Sequence, residues 1–277
     1  MHNPCNLCGK NDYKILEEDK GPFKIVRCNY CSSVYVTPLP PKEFIEEYYS
    51  LNYYIELEQQ LPKTLKVWQE RLKLVESFQK KGILLDVGCG IGSFLSLARN
   101  NGWEVYGTEI SKEICNYIKE RLGLEVYNGR LQDADYPDEY FDVVTFWHVL
   151  EHMQDPLEAL KVANRILKKD GLFVVATPNV NNYIYKILYL SAKIKNKPFF
   201  LSGFGERNKE LHFYYFSPVT IKEILQKAGF NVFLLRSDIS GISMPKRMID
   251  GIANYISYPF RLNISLSMGI YARKFIK

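Results

Sequence analysis

Several features that would fix a protein's class at once are missing from this chain. Its amino terminus, Met1-His2-Asn3-Pro4-Cys5, carries no apolar core behind a basic segment and does not read as a secretion signal. No apolar run is long enough to cross a bilayer. There is no dense Lys/Arg block or basic arm, and the net charge is a modest +5, so composition does not point to nucleic acid. Internal repeats and low-complexity tracts are absent as well. Cysteine is sparse, six in 277 residues, and a cytoplasmic setting is the expectation. What remains, 47% hydrophobic and 24% charged, is the composition of a globular protein long enough to bury a sizeable core.

The few cysteines are not scattered. Four of them form two pairs, Cys5-x-x-Cys8 and Cys28-x-x-Cys31, with nineteen residues between them. That is the spacing of a four-thiolate zinc ribbon, in which each pair sets two sulfurs on one side of a tight turn. Gly9 suits the curvature such a turn needs. Tyr13–Leu16 and Phe23–Arg27 are strand-like and could form the supporting hairpin. Disulfides are not expected without a secretion signal. Four thiolates around one Zn²⁺ would lower the net charge by two, to +3, which further weakens a case for polyanion binding. Cys89 and Cys115 stand apart and read as small buried residues.

The most informative stretch is Leu84-Leu85-Asp86-Val87-Gly88-Cys89-Gly90-Ile91-Gly92-Ser93-Phe94. It reads as a buried strand, then a glycine-rich turn, then a helix, an arrangement that lets backbone approach a nucleotide-like ligand. Glu109 ends a second strand-like run, Glu104–Thr108, where a carboxylate can accept hydrogen bonds from both hydroxyls of a ribose. A dinucleotide fingerprint would need its third glycine at position 93, which is Ser93.

The spacing present, D-x-G-x-G-x-G, resembles the first motif of class I S-adenosylmethionine-dependent methyltransferases. The resemblance continues through Asn128-Gly129-Arg130-Leu131-Gln132-Asp133, Tyr140–His148, Leu150-Glu151-His152-Met153-Gln154-Asp155-Pro156 and Gly171–Pro178, covering about residues 82–178. It implies that Asp86, Gly88, Cys89, Gly90 and Gly92 form the loop around the cofactor's methionine part. Glu109, with Ile110 beside it, would hold the ribose, and Asp133 would contact adenine. It also implies a Rossmann-like seven-stranded α/β sheet with helices on both faces, preceded by the small zinc ribbon.

Three segments follow from this: a ribbon over 1–37, a helical linker or lid over 38–81, and a methyltransferase domain over 82–277 with helical cap insertions near 180–216 and 241–267. Thr37-Pro38-Leu39-Pro40-Pro41 marks the first boundary. Helical spacing of apolar residues runs over 42–52 and, through Leu65, Trp68, Leu72, Val75 and Phe78, over 63–80. Strands are expected near 83–87, 103–108, 124–127, 141–146, 171–177, 230–236 and 269–276, and helices near 92–101, 111–121, 156–168 and 217–228. Both cap segments mix aromatic and apolar residues with Lys or Arg. They read as a cover over the active site, with peripheral membrane contact as the alternative.

His148 lies at the active-site edge of the fourth strand and is the first choice for a general base, against an imidazole merely fixed by a backbone carbonyl. Leu211–Pro218 resembles a segment that follows the cap insertion in many zinc-ribbon and sugar-pathway methyltransferases, a place from which His212 would face the substrate as a pocket residue, with a base role as the second reading. The Glu151-His152 pair resembles part of a divalent-metal motif of ubiquinone-pathway O-methyltransferases, but that motif's preceding Glu is replaced here by His148. The pair also suits the entry to a helix, with Asp155 as cap and Pro156 in its first turn. O-methylation of a small-molecule acceptor is therefore expected, with a sugar or glycan precursor as the acceptor class that the ribbon resemblance implies. An RNA base methyltransferase is the rival reading, but Trp147-His148-Val149-Leu150 stands where the Asn/Asp-Pro-Pro-aromatic signature would be. A non-enzymatic docking module is the third.

Overall fold

The computed structural model describes residues 3–18, 22–41, 43–45, 61–182, 186–187, 190–191, 194, 212–238 and 266–275. Strands β1 (Tyr13–Glu18), β2 (Lys24–Cys28) and β3 (Val34–Thr37) form an antiparallel sheet behind the two cysteine turns. Each Cys-x-x-Cys turn closes on its own backbone: Gly9 N–H donates to the Cys5 carbonyl at 2.7 Å, and Ser32 N–H to that of Cys28 at 3.1 Å. β3 ends immediately before Pro38, at the expected boundary. Beyond it only residues 43–45 of the expected 42–52 helix are described, and they are helical.

Helix α1 (Leu61–Phe78) follows, burying Leu72 and Val75 along its apolar stripe. Strands β4 (Ile83–Val87), β5 (Glu104–Glu109), β6 (Tyr127–Asn128), β7 (Phe141–Trp147) and β8 (Leu167–Pro178) pair parallel with one another in the large sheet. Helices α2 (Ser93–Asn100), α3 (Lys112–Leu122) and α4 (Pro156–Ile166) connect them. After the segment around residue 200 come β9 (Tyr214–Tyr215), α5 (Pro218–Lys227), β10 (Phe230–Ser237) and β11 (Ser267–Lys274). The large sheet runs β10-β11-β8-β7-β4-β5-β6, and β11 is antiparallel to both neighbours.

This is the Rossmann-like methyltransferase architecture, with β11 inserted between β10 and β8. Chain order reverses at β4, which pairs with β5 on one side and β7 on the other. Right-handed crossovers in opposite directions place α2 and α3 on one face and α4 on the other. The crevice at such a reversal, beyond the carboxyl ends of β4 and β7, is where this class of sheet binds ligands.

Local signals explain the helix ends. Asp155 accepts from Glu158 N–H at 3.0 Å and Pro156 opens α4. Ser217 and Thr220 form a reciprocal capping box on α5. Two elements depart from expectation. β6 is a two-residue edge strand at 127–128 rather than 124–127, because it pairs only with the end of β5. β8 begins at Leu167 rather than 171, since Leu167 pairs with Phe141 before a register shift, so α4 stops at Ile166.

The small sheet has a fourth strand with no clear sequence signal. β9 pairs antiparallel with β3, Val34 with Tyr215 and Tyr35 with Tyr214. The ribbon sheet is thus completed by chain from beyond β8. Most of the two expected cap segments, 183–211 and 239–265, lies outside the described residues but for a few positions, as does the membrane-surface alternative that rests on them. Among the described residues no helix is long and apolar enough to cross a membrane.

Candidate active site

The turn after β4 is shaped by what lies beneath it. Gly88 has φ +65, and a Cβ there would sit 2.3 Å from Val149 Cγ2, so backbone rests directly on the segment that follows β7. Gly90 and Gly92 also have positive φ, and Gly92 leads into α2. Glu109, buried at the end of β5, reaches across to this loop: Oε2 accepts from Gly90 N–H at 3.1 Å and Oε1 from Ser111 N–H at 3.0 Å. Asn128 Nδ2 donates to the Glu109 and Ile110 carbonyls, both at 3.1 Å, tying β6 to the same corner.

Asp86 is buried under the loop and accepts from Thr145 Oγ1 at 2.7 Å. Burial pushes its carboxyl up to about 7, against the Thr145 hydrogen bond and the Arg71 charge. Burial, with the Glu109 and Asp86 carboxylates nearby, also holds the Cys89 thiol well above its ordinary range, so Cys89 is a packing residue of the loop. Asp133 sits at the rim, where Arg130 grips its carboxylate through Nε at 2.8 Å and Nη2 at 2.9 Å. Asp86, the loop glycines, Cys89, Glu109 and Ile110 are therefore assembled at one corner of the sheet, with Asp133 held outward by its arginine.

Across the crevice, β7 carries Thr145 in register with Asp86, and His148 follows at the strand's carboxyl end. His148 has φ +55, a conformation a non-glycine residue adopts only when its surroundings hold it there. Its N–H donates to the Ala176 carbonyl at 2.9 Å. Arg71 of α1 lies between Trp68 and Trp147, 4.7 Å from each ring centre. Its guanidinium grips Asp238, just beyond β10, through Nη2–Oδ2 at 2.5 Å and Nε–Oδ1 at 3.3 Å. The His148 ring fits between them, Nε2 3.1 Å from Arg71 Nη2 and 3.4 Å from Asp238 Oδ2, while Nδ1 is 3.6 Å from Glu151 Oε1.

Charge follows from this packing. Burial alone would lower the His148 pKa, but Asp238 and Glu151 outweigh it and raise it to about 9. Burial would raise Asp238, yet Arg71 and His148 hold it well below the usual carboxylate range. Glu151 is likewise lowered against its burial by His148, His152 and His212. His212 is itself buried, its ring centre 4.8 Å from that of His152. Phe213 N–H donates to the Glu151 carbonyl at 2.8 Å, fixing this pair of segments together. Both sequence-expected histidines therefore flank one carboxylate, Glu151.

The four ribbon cysteines also converge. Cys5 and Cys31 sulfurs are 3.5 Å apart, as are those of Cys8 and Cys28, and all four lie within 4.8 Å of one another. A tetrahedral site with Zn–S near 2.3 Å needs sulfurs about 3.8 Å apart, whereas a disulfide needs about 2 Å. The donor set fits zinc.

Arg71 and Asp238 escape a motif-based reading. Arg71 has one visible signal: it falls between Trp68 and Leu72 on the apolar stripe of α1, where a charge is out of place. Asp238 has none, standing one residue beyond the end of β10. Thr145 and Asn128 are likewise ordinary strand residues in sequence, identified only by their hydrogen bonds.

Residues 57–235 match the family described as a methyltransferase domain. The demethylmenaquinone methyltransferase of Staphylococcus epidermidis is 27% identical over 212 residues, covering 72% of this chain and 86% of that protein. Its Staphylococcus aureus counterpart is 28% identical over the same shares. Among solved structures, a SAM-dependent methyltransferase of Thermotoga maritima, described as a possible histamine N-methyltransferase, superposes with a TM-score of 0.56. It is 20% identical, covering 83% of this chain and 99% of that one. A SAM-dependent methyltransferase of Archaeoglobus fulgidus gives 0.55 at 21% identity, covering 80% and 100%.

Proposed function

The chain belongs to the methyltransferase-domain family and is an S-adenosylmethionine-dependent methyltransferase, and from that premise we propose that it methylates a hydroxyl of a small-molecule acceptor. The observation that carries this reading is the meeting of two strand ends. The loop steadied by Glu109 rests on Val149, the neighbour of His148, so a cofactor held by the loop lies beside an imidazole with carboxylates on both sides.

We assign the loop from Asp86 to Gly92 to the cofactor's methionine part, Glu109 and Ile110 to its ribose, and Asp133 to adenine. When bound, the cofactor supplies an activated methyl on a good leaving group, so the protein must align the acceptor, exclude water and take up one proton. His148 is the residue assigned to that proton. With its pKa raised to about 9, His148 is held as imidazolium at neutral pH by Asp238 and Glu151, so it takes up the acceptor's proton only once deprotonated, and turnover should rise with pH toward about 9. His212 is assigned to the acceptor pocket. Cys5, Cys8, Cys28 and Cys31 are assigned to a structural Zn²⁺, and the ribbon, linker and methyltransferase segments are taken as 1–37, 38–81 and 82–277.

The acceptor class favoured by the ribbon resemblance is a sugar or glycan precursor. A second class, a quinone-related ring, is favoured by the likeness to proteins named demethylmenaquinone methyltransferases. Extracts incubated with methyl-labelled S-adenosylmethionine would show which class acquires the label. In the same assay His148→Ala should lower kcat by about 10²- to 10³-fold and leave cofactor affinity within about twofold. Unchanged turnover would remove His148 from the mechanism. Label appearing only in structured RNA would replace the small-molecule reading.

A further inference from the structure

We propose that Glu151, His152 and His212 form a second metal site, separate from the ribbon, for a divalent ion that accepts imidazole ligands, such as Zn²⁺, Mn²⁺, Fe²⁺ or Co²⁺. The starting point is Glu151. It is 1% exposed, and neither carboxylate oxygen has a hydrogen-bond partner among the described residues. The His148 imidazolium faces this carboxylate without satisfying it: Nδ1 stops at 3.6 Å, beyond hydrogen-bond reach, and the Nε2 side faces Arg71 and Asp238. A buried carboxylate left without hydrogen bonds is costly unless a cation completes it.

Two imidazoles converge on the same carboxylate. One ligand atom from each of Glu151, His152 and His212 can be chosen so that all lie within 4.8 Å of one another. Metal–nitrogen and metal–oxygen bonds of about 2.0–2.2 Å put neighbouring ligands about 3 Å apart, so modest side-chain rotations close the set. Two histidines and one carboxylate leave coordination positions open, and the nitrogen donors disfavour Mg²⁺ and Ca²⁺.

The backbone holds these residues together without an ion. Glu151 and His152 share a 3-10 turn, Leu150–His152. Phe213, next to His212, donates its N–H to the Glu151 carbonyl and accepts from Val36 N–H through its own carbonyl, each at 2.8 Å. The third ligand is therefore positioned by the ribbon sheet rather than by the sequence motif that contains the first two. The open positions suit an oxygen of the acceptor, a role that rests on the methyltransferase reading, whereas ion binding itself does not.

The test uses the full chain with its ribbon loaded with Zn²⁺, titrated with Co²⁺ and followed by absorption spectroscopy and elemental analysis. One equivalent of Co²⁺ is expected beyond the zinc, with weak d–d bands and no thiolate charge-transfer band. Glu151→Gln and His212→Asn should each weaken Co²⁺ binding by about tenfold or more, with zinc content intact. Calorimetry with S-adenosylmethionine identifies any variant that fails to fold, and His152→Asn then takes its place. No Co²⁺ uptake, uptake only with the intense thiolate band, or uptake unchanged in the variants would overturn the site. Loss of Co²⁺ binding with cofactor binding retained bears on the metal alone, whereas absent cofactor binding in the parent chain would overturn the methyltransferase reading.

Discussion

The side of the crevice assigned to the cofactor is drawn from chain that is close in sequence, and the side assigned to the acceptor from chain that is far apart. The contacts that steady the glycine loop span 19 positions from Gly90 to Glu109 and 59 from Asp86 to Thr145. Those that hold His148 span 77 positions to Arg71 and 90 to Asp238, and the Arg71–Asp238 pair spans 167. Near contacts within β–α units can be written into a motif. Distant ones exist only once the sheet has formed and brought the middle of α1 to the ends of β7 and β10. The fold fixes the common step of the chemistry locally and leaves the acceptor to a composite wall.

If the acceptor side depends on distant contacts, cutting one should cost stability more than cofactor affinity. Asp238→Ala leaves the Arg71 guanidinium buried beside two tryptophans without its carboxylate. Urea unfolding should show a loss of about 3–5 kcal/mol. Cofactor affinity of the folded fraction, measured by calorimetry, should remain near that of the parent. An equal fall in cofactor affinity would erase the distinction between the two sides.

Glu109→Ala is the converse cut. It removes the acceptor of two backbone N–H bonds and the assigned ribose partner. S-adenosylmethionine affinity should drop about 100-fold, worth about 2.7 kcal/mol. The Arg71–Asp238 pair should be untouched, as judged by the response of this variant to a further Asp238→Ala change, which should be additive.

The smallest expected effect sharpens the comparison through pH. With its folded pKa near 7 against an ordinary 3.8, Asp86 keeps a proton in the folded chain that the unfolded chain has released. Its contribution to stability is therefore greatest below about pH 4, declines as pH rises to about 7, and is level above. A cationic cofactor favours the carboxylate, so affinity should rise with pH by about tenfold between pH 6 and 8. Asp86→Asn should flatten that profile. A profile unchanged in the variant would move the titration to another group.

How much could be read in advance follows the same division. Asp86, the three glycines and Glu109 announced themselves because a strand, a turn and a helix must follow one another in a short span. Asp155 and Ser217 marked their helices by local hydrogen bonding, and the cysteine pairs marked the ribbon by spacing. Arg71 was hidden in an apolar stripe, Asp238 in an unremarkable strand end. β9 is only two residues long, in an aromatic run that looks like packing. Its partner strand lies in the ribbon, and no periodicity in either segment records that pairing.

That pairing joins the ribbon sheet to the segment that carries His212. Order among the four sulfurs favours the register of β3, β3 favours β9, and β9 favours the position of His212 beside Glu151. Coupling of this kind is reciprocal. Whatever factor metal loading of the ribbon adds to binding at His212, binding at His212 must return to the ribbon's hold on its metal. With His212 in the acceptor pocket and a metal on the four sulfurs, as proposed, loading of the ribbon would bear on the acceptor rather than on the corner held by Glu109.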